Sequence, residues 1–503
     1  MAGAAHSEPD PTAAAGGAPA QAVTRPSGGG RAALLGALEL LLVFGLPLVV
    51  CVGWTRALLA LVDAHERSIA PMGSLAYATF AQLADSFAEG RGWVQTVHRG
   101  YAQSWTWGGH YTPLYLISAK LSALSTSPWA LARLQVGAVG LGVLAAARLG
   151  WAEGRLAGLV AGLVLYASST PIMVMALADY QDLVLVIPAL PLAVWGARHG
   201  RGWQAALCLL LLGATREEAL LLLPAVGLTG GLGRGLLGAA VAAGLIGLYQ
   251  SMGPPLYDTP LVSILEFEGR VPLGHALRAA QVPWDMHAFL AGPALPLLFL
   301  GPELAAAAAP IAWFHALDPA SVRNLHNPSV HHLAPMVAVL TTAAVLGAGR
   351  ACRLGRLAGL VVVLAAGGLA WRAHEAWRPL WQDLAVRARP ADRDRERHRL
   401  WELLAQVPED DVLYIDHLIV AAAARRPYVV TRDSEDDPQA VAALGGRPVA
   451  WALVPGPFVG EAVGSAAGHT LYKIDPAQPY LLLQRPLHGQ GAPAGPPKQR
   501  PGG

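Results

Sequence analysis

The stretch from Ala205 to Leu228 has the sequence AALCLLLLGATREEALLLLPAVGL, with three adjacent charges, Arg216-Glu217-Glu218, in the middle of an apolar run. The run is long enough to cross a bilayer. A charged side chain at bilayer depth costs roughly 2.5–3.5 kcal/mol on insertion scales. Such charges are kept where they face a polar cavity, pair with each other or take part in chemistry. The stretch therefore predicts a membrane protein with an internal polar site.

The composition of the whole chain indicates that much of it lies in lipid. Of its 503 residues, 54% are hydrophobic and only 14% are charged, with a net charge of +2. A nucleic-acid-binding protein concentrates Lys and Arg in a stripe, so we expect membrane lipid and no nucleic acid as a partner. The three cysteines fall in or beside predicted spans, which does not suggest a disulfide framework.

Apolar runs of spanning or near-spanning length recur along the chain. They lie near residues 33–62, 129–149, 156–176, 183–198, 203–229, 235–252, 289–317, 331–347 and 355–371. Arginines cluster between the second and third runs, after the fourth, and between the last two. The positive-inside rule places these clusters in the cytoplasm. We therefore expect a multi-pass inner-membrane protein with a cytoplasmic N-terminus and an outer loop at residues 63–128.

Two of the runs can each be one span or two half-length helices. The run 203–229 is divided by the charged triplet, and the run 289–317 contains Gly301-Pro302-Glu303. Making the same choice for both gives about nine or eleven segments and leaves the C-terminus outside. The choice decides the side of loop 254–288, whose balanced charges suit the outer face. We favour two re-entrant hairpins, which are tolerated where they line protein or a water-filled cavity.

The segments outside the spans differ in composition. In the outer loop, Tyr77–Glu89 has the spacing of an amphipathic helix resting at the membrane interface, with Gln82 and Asp85 toward water. Short strand-like runs alternate with Ala-rich segments and predict a small α/β domain outside the membrane. The runs are Val412–Ile415, Tyr428–Thr431, Val449–Val454, His469–Ile474 and Tyr480–Gln484. The predicted divisions are a disordered cytoplasmic tail at 1–32, a transmembrane domain at 33–371, an amphipathic linker at 372–407, the α/β domain at 408–486 and a disordered tail at 487–503.

Several blocks, in their order along the chain, resemble a bacterial family of predicted membrane proteins. That family is the domain-of-unknown-function 2079 family, which is grouped with the GT-C glycosyltransferase superfamily. The resemblance covers about residues 70–485. It rests on Tyr77–Ala84 with Glu89–Trp93, Gly109-His110-Tyr111-Thr112-Pro113, Ala178-Asp179-Tyr180-Gln181, Arg216-Glu217-Glu218-Ala219, His331-His332-Leu333-Ala334-Pro335, and Val407-Pro408 before the C-terminal strands.

The resemblance implies a GT-C-like helical fold that transfers a sugar from a polyprenyl-phosphate carrier at the outer membrane face. In GT-C enzymes an acidic residue in the first outer loop usually acts as the base or holds a metal. Aligned on the blocks above, that position falls at Gly73, Ser74 or Ala76, none of which can replace a carboxylate. The histidine expected after the third span is Gln181 here.

The residues themselves suggest roles, each with a structural alternative. Asp63 or Glu66, just after the first span, can replace the missing base, or can form an ordinary solvated span end. Arg216 can hold a lipid-linked phosphate through a bidentate fork, with Glu217 or Glu218 acting on the acceptor. The alternative is an internal ion pair that fixes a hairpin without a ligand.

Histidine and aspartate candidates lie at other span ends. His110, followed by Tyr111, can move a proton or bind phosphate, or can donate to a backbone carbonyl. Asp179 can orient a sugar or hold a divalent cation through oxygen, or can cap a helix. His331 and His332 can bind a metal with Asp179, although adjacent side chains on a helix diverge. The sequence leaves the metal, the sugar and the acceptor undetermined.

Three functions remain open on the sequence alone. The first is a membrane glycosyltransferase that uses a polyprenyl-phosphate-linked sugar. The second is a non-catalytic protein of the same fold that binds lipid-linked glycans, which the empty acid position favours. The third is a transporter or flippase, which the absence of an internal repeat disfavours.

Overall fold

The computed structural model describes most of the chain and is mostly helical, with a small C-terminal sheet. The described residues are 29–66, 75–92, 94–97, 112–125, 127, 129–177, 180–252, 301–307, 334–387, 393–417, 419–432, 434–435, 438–458 and 460–475. All statements below about structure concern these residues. The predictions for loop 254–288 and for the strand-like run 480–484 concern residues outside the described ranges.

The first span is a long helix at the edge of the bundle. It comprises α1 (Gly29–Leu40), a π-helical turn and α2 (Leu46–Glu66), and so begins inside the predicted tail 1–32. One face of α2 packs inward, where Trp54 Nε1 donates to the Ala167 carbonyl at 2.9 Å. Large apolar side chains on the other face are exposed, which suits contact with lipid.

The second and third predicted spans form a tight helical hairpin. Helix α5 (Ala130–Ala167) reverses direction at Gly154 and Arg155, whose backbone angles leave the helical region (φ −139° and 55°). A methyl group added at Gly150 would overlap the carbonyl of Gly158, and the reverse also holds. Such close contact of two helix backbones requires small residues at the crossing. The 38-residue stretch is therefore two antiparallel helices rather than one span.

Short helices follow, with two breaks that carry the polar residues of interest. A 3-10 turn at Asp182–Leu185 leads into the helix that begins at Val186. Another at Glu217–Leu222 leads into the helix that begins at Leu223. The helices are α6 (Thr170–Leu177), α7 (Val186–His199), α8 (Gly202–Gly213), α9 (Leu223–Leu228) and α10 (Leu232–Met252).

The run 203–229 is interrupted at the charged triplet and turns back on itself. Helix α8 is about 18 Å long at 1.5 Å per residue, short of the roughly 30 Å hydrocarbon core. Arg198 Nη1 donates to the Thr229 carbonyl at 2.7 Å, and Arg234 Nη2 donates to the Gly200 carbonyl at 3.0 Å. Both ends of the segment therefore lie at one end of the bundle. This geometry is that of the predicted half-length helices.

The last two bundle helices complete the packing around α5. Helix α11 (Ala334–Arg353) lies along the α5 hairpin, with Gly349 against the side chain of Glu153. Helix α12 (Arg356–Arg387) runs without a break through residue 371. The first half of the predicted linker 372–407 is therefore a continuation of α12, followed by α13 (Arg393–Ala405). Of the run 289–317, only 301–307 is described.

The bundle has two ends, which we name by a buried residue at each. The Glu153 end holds the α5 reversal, His199, the α9–α10 turn and Arg353. The Arg216 end holds the α8–α9 break, Asp182 and the C-terminal part of α10, where the Tyr249 hydroxyl donates to the Gly213 carbonyl at 3.2 Å. Among the described residues, five helical stretches are long and apolar enough to cross a membrane: Gly36–Asp63, Ala130–Ala167, Asp182–His199, Leu232–Tyr249 and Ala334–Arg353.

Two outer-loop helices, α3 (Leu75–Ala88) and α4 (Pro113–Ser122), cover the Arg216 end. The prediction of an amphipathic α3 with a polar face toward water is wrong for Gln82 and Asp85. Both side chains are buried, because the C-terminal domain covers that face of the helix. Glu89, at the end of α3, is exposed and pairs with Arg91.

The C-terminal domain contains a five-stranded mixed sheet in the order β2-β1-β3-β5-β4. Strands β1 and β3 coincide with the predicted runs, whereas β4 was not predicted. β1 is parallel to both β2 and β3, and β5 is antiparallel to β3 and β4. The strands are β1 (Val412–Ile415), β2 (Val429–Val430), β3 (Val449–Val454), β4 (Glu461–Ala466) and β5 (His469–Lys473), with α14 (Pro438–Ala443) between β2 and β3.

Buried hydrogen bonds attach this domain to the outer loop. Thr96 Oγ1 donates to the Val429 carbonyl at 2.5 Å, and Thr431 Oγ1 donates to the Val97 carbonyl at 2.7 Å. Gln82 Nε2 donates to the carbonyl of Arg426 at 3.0 Å. The segment 94–97 therefore lies along the β2 edge of the sheet. The C-terminal domain sits on the Arg216 end of the bundle.

Candidate functional site at the Arg216 end

Arg216 lies where the α8–α9 segment is not helical. Helix α8 ends at Gly213, and the Arg216 backbone is extended (φ −171°, ψ 158°). The break turns the side chain into the protein, and Arg216 is among the largest fully buried side chains of the described residues. The triplet therefore does not point into lipid. Its first residue forms the centre of a buried polar cluster.

Carboxylates from two breaks meet the guanidinium. Arg216 Nε lies 2.9 Å from Glu218 Oε2, and Arg216 Nη1 lies 3.5 Å from Asp182 Oδ1. The side chain of Asp182 is 1% exposed and that of Glu218 is 14% exposed. Glu217 is also buried nearby. We call Arg216, Asp182 and Glu218 the Arg216 cluster; Glu218 is its most accessible member.

Aromatic side chains from the outer loop lie beside the residues that precede Asp182. The rings of Phe80 and Tyr180 are 5.3 Å apart, and those of Tyr115 and Tyr180 are 6.0 Å apart. The Tyr115 hydroxyl donates to the Phe80 carbonyl. The Leu114 amide, in the first turn of α4, donates to the Ala214 carbonyl at 3.1 Å. The outer loop and the α8–α9 break are therefore packed together.

Gln135 positions the segment that carries Tyr180 and Asp182. Its Oε1 accepts from the Gln181 amide at 2.8 Å, and its Nε2 donates to the Met175 carbonyl at 3.1 Å. The residue is fully buried in the first turns of α5. A buried amide that bonds both flanks of a chain break fixes the break in one geometry. This role could not be predicted from the sequence, since a lone glutamine in an apolar run has no distinctive pattern.

The structure describes some of the predicted site residues and not others. Asp63 lies at the Arg216 end, where its carboxylate pairs with Arg133 Nη2 of α5 at 3.0 Å. Arg216, Glu217 and Glu218 lie together, as described above. Asp182, which the sequence presented only as a neighbour of Asp179, belongs to the cluster. The side chain of Glu66 and residues His110, Tyr111, Asp179, His331 and His332 lie outside the described residues.

The possible metal ligands at the Arg216 cluster are the carboxylate oxygens of Asp182 and Glu218. Within the described part of the chain, no three His, Cys, Asp or Glu side chains form a group that could hold a metal ion. Asp182 and Glu218 are the carboxylates that could contribute to a divalent cation with ligands from a substrate. A guanidinium carries five N–H donors in a planar fork, which can serve two carboxylates and a phosphate oxygen together.

A second polar junction, missed by the sequence, joins α3 to the C-terminal domain. Arg425 donates from Nε and Nη2 to both oxygens of Asp85, at 2.7 and 3.0 Å. Burial raises the pKa of Asp85, and the hydrogen bond from Arg425 only partly offsets this. The pair lines a small cleft together with Tyr77, Ser122 and Ser127. Only the fold reveals the pair, because its two members are far apart in sequence.

A third polar network lies at the opposite end of the bundle. The fully buried side chain of Glu153 accepts from Arg198 at 2.5 Å and from His199 at 2.8 Å, and pairs with Arg353 at 2.8 Å. Nearby, Arg350 pairs with Glu303. These contacts join α5, α7, α11 and the segment 301–307. They account for the Gly301-Pro302-Glu303 element as a structural contact at the Glu153 end.

Part of the chain matches a known protein family. Residues 71–249 match the family described as "Predicted membrane protein (DUF2079)". The matched segment runs from the start of α3 almost to the end of α10, and it includes all three members of the Arg216 cluster. No curated protein matches the chain. Over residues 71–249, about a third of its length, this chain is therefore similar to the DUF2079 family of predicted membrane proteins.

Proposed function

We propose that the protein binds a polyprenyl-phosphate-linked sugar at the Arg216 end and transfers the sugar to an extracytoplasmic acceptor. The observation that carries the proposal is the fully buried Arg216 held by Asp182 and Glu218 under the outer-loop helices. Charged groups inside a membrane bundle are costly and mark substrate sites by default. In this account the bundle is a GT-C-like fold of about nine to eleven segments in the bacterial inner membrane.

Each member of the cluster has a proposed role. The guanidinium of Arg216 binds a phosphate oxygen of the lipid carrier, with Asp182 fixing its orientation. Glu218 is the more exposed carboxylate, and we assign it to the acceptor hydroxyl as general base. With Glu217 also buried nearby, carboxylates outnumber the guanidinium among these residues. A divalent cation that bridges Glu218 and the phosphate would balance the carboxylate charge, so both metal-free and Mg²⁺ conditions are tested.

The distribution of arginine supports an outward-facing Arg216 end. Arg148, Arg155, Arg201, Arg234 and Arg356 all lie at or near the Glu153 end, with the arginines of the Glu153 network. The positive-inside rule assigns such an end to the cytoplasm. The C-terminal domain, docked at the other end, is then extracytoplasmic.

A non-catalytic role is the second candidate. Asp63, the predicted substitute for the first-loop base, is paired with Arg133 of α5. Glu218 is likewise paired, with Arg216 at 2.9 Å, so both candidate bases are engaged by a guanidinium. The same fold would then bind lipid-linked glycans through the Arg216 cluster without turnover. Assigning the base to Glu218 rather than Asp63 is what separates the two candidates.

The test is a transfer assay with the purified full-length protein in nanodiscs. Labelled polyprenyl-phosphate sugars are supplied with and without Mg²⁺, with water as the surrogate acceptor, and lipid-free label is measured for the wild type, Glu218→Gln and Asp63→Asn. We expect turnover that Glu218→Gln reduces at least a hundredfold, in the range lost with a general base, and that Asp63→Asn leaves within about threefold.

The outcomes separate the candidates. Equal turnover by Glu218→Gln and the wild type would remove Glu218 as the base. Binding of the labelled donor without turnover under any condition would establish the non-catalytic candidate. Absence of both binding and turnover, in protein that remains monodisperse, would contradict the proposed function.

A further inference from the structure

Two arginines of α5 at the Glu153 end each lie over a tryptophan ring, and Arg148 and Trp151 are three residues apart on one helix. Arg148 lies over the ring of Trp195 of α7, with 5.2 Å from its Cζ to the ring centroid. Arg155 lies over the ring of Trp151 in the same way, at 5.6 Å. We call these four residues the Arg–Trp patch. It is distinct from the Glu153 network and from the Arg216 cluster.

The two arginines of the patch are not neutralised within the protein. Both side chains are exposed, and neither has a carboxylate within 4.0 Å among the described residues. The carboxylates described at this end are paired with other side chains. Glu153 contacts Arg198, His199 and Arg353. Glu303 pairs with Arg350. The patch therefore presents uncompensated positive charge. Such exposed positive charge favours the binding of an anion.

The position of the patch indicates where that anion lies. Leu141 is 60% exposed and lies seven residues before Arg148 on the same face of α5, which is about 10 Å along the helix. Leu156, beside Arg155, is also exposed. Tryptophan rings at the end of an apolar helix face are typical of the headgroup level of a bilayer. The face changes from apolar to cationic where a lipid changes from acyl chain to phosphate.

The patch also contains a hydrogen-bond donor in need of an acceptor. Trp195 Nε1 is buried and has no hydrogen-bond partner among the described residues. An indole nitrogen can only donate, and an unsatisfied buried donor has an energetic cost. Because this nitrogen is buried, the exposed guanidinium of Arg148 over the same ring is the group that reaches a headgroup phosphate.

We propose that the Arg–Trp patch binds the phosphate headgroup of an anionic phospholipid. Arg148 and Arg155 supply the charge, and Trp151 and Trp195 hold the guanidinium planes by stacking. The exposed leucines above contact the acyl chains. This site is independent of the proposed glycosyl transfer, and it does not depend on which side of the membrane the Glu153 end faces.

The test compares lipid binding by the full-length protein in neutral detergent, using native mass spectrometry during titration with phosphatidylglycerol or phosphatidylcholine. We expect a clear preference of the wild type for phosphatidylglycerol. The double variant Arg148→Gln/Arg155→Gln should bind it about ten- to thirtyfold more weakly, from roughly the contribution expected of two basic residues at a charged surface. The matched control Arg201→Gln/Arg356→Gln removes two exposed arginines of the same end and should change binding less than twofold.

Further arms identify the chemistry. Arg148→Lys/Arg155→Lys keeps the charge but loses the planar stacking, and should have intermediate affinity, which also shows that the patch tolerates substitution. Inorganic phosphate at 50-fold excess, roughly chosen to saturate a free-anion site, should not displace the lipid. Equal weakening by the two glutamine variants, displacement by inorganic phosphate, or no preference for phosphatidylglycerol would each overturn the proposal.

Discussion

Arg425 of the C-terminal domain holds both carboxylate oxygens of Asp85 in the outer loop, across 340 residues of sequence. The side chain of Asp85 is 8% exposed and that of Arg425 is 31% exposed. The same arginine donates to the Ser125 carbonyl at 2.5 Å, just before α5. One side chain therefore connects the α/β domain, α3 and the entry to the bundle. It makes the C-terminal domain a fixed cover of the Arg216 end.

The two partners of this pair should respond unequally to mutation. Arg425→Ala leaves a buried carboxylate without its charge partner and should cost about 2–3 kcal/mol, less than a fully buried pair because Arg425 is partly exposed. Asp85→Asn removes the costly charge and should change stability by less than about 1 kcal/mol. Chemical denaturation of the full-length protein in detergent measures both. In the double variant Asp85→Asn/Arg425→Ala, most of the loss caused by Arg425→Ala should be recovered.

The pH dependence follows from the raised pKa of Asp85. Because the folded state binds this proton more tightly than the unfolded state, the contribution of Asp85 to stability is fully present below the ordinary value of 3.8 and is lost as the pH rises through the raised pKa. The stability difference between Asp85→Asn and the wild type should therefore grow in favour of the variant as the pH rises through that window. A difference that is flat with pH would show that the Arg425 pairing balances the effect of burial on the pKa of Asp85. A difference of the opposite sign would show that the pairing outweighs burial.

The α5 hairpin gives a test of the helical packing. Gly158→Ala places a methyl group on the Gly150 carbonyl and should destabilise the protein by about 1–3 kcal/mol, the usual cost of overpacking. Gly137 lies in the first half of α5, where an added methyl group meets nothing within 4 Å. Gly137→Ala should therefore be neutral or slightly stabilising, since alanine is the better helix former. Thermal unfolding in detergent that ranks the two variants in the reverse order would contradict the hairpin.

The orientation of the bundle is tested by cysteine accessibility. In a background without Cys51, Cys208 and Cys352, single cysteines replace Glu461 of β4 and Arg201 before α8. A membrane-impermeant maleimide should label Glu461→Cys in intact cells and Arg201→Cys only after permeabilisation. A third variant, Gly233→Cys at the start of α10, should behave like Arg201→Cys, because both ends of the α8–α9 segment lie at the Glu153 end. Labelling of Arg201→Cys and Gly233→Cys from opposite sides would contradict the re-entrant geometry.

Residue patterns within one segment predicted the helix break at 216–218 and the bounds of two strands. The triplet at 216–218 predicted the break in the run 203–229, because charges interrupt apolar burial wherever they occur. The strands Val412–Ile415 and Val449–Val454 were predicted at their observed bounds from their apolar, β-branched composition. β4 was missed because its Gly and Ser residues and exposed pattern resemble a loop.

The interactions that build the candidate site come from distant parts of the chain, and sequence spacing does not show them. Asp182 joins Arg216 only because the break before α7 packs against the tip of the α8–α9 segment. Gln82 and Asp85 were predicted to face water because α3 alone has two faces. The C-terminal domain then covers the second face. A partner more than 300 residues away leaves no local pattern.

The central claim is that the Arg216 cluster holds a lipid-linked phosphate, and equilibrium binding measures this without requiring turnover. A labelled polyprenyl phosphate is titrated into nanodisc-embedded wild type, Arg216→Lys and the control Arg201→Gln, with Mg²⁺ or with chelator. Lysine keeps the charge but not the planar fork. We expect at least tenfold weaker binding by Arg216→Lys, with unchanged monodispersity and thermal unfolding within a few degrees of the wild type, and no change for Arg201→Gln. Equal affinity of the wild type and a folded Arg216→Lys, or no saturable binding by the wild type under either condition, would contradict the account.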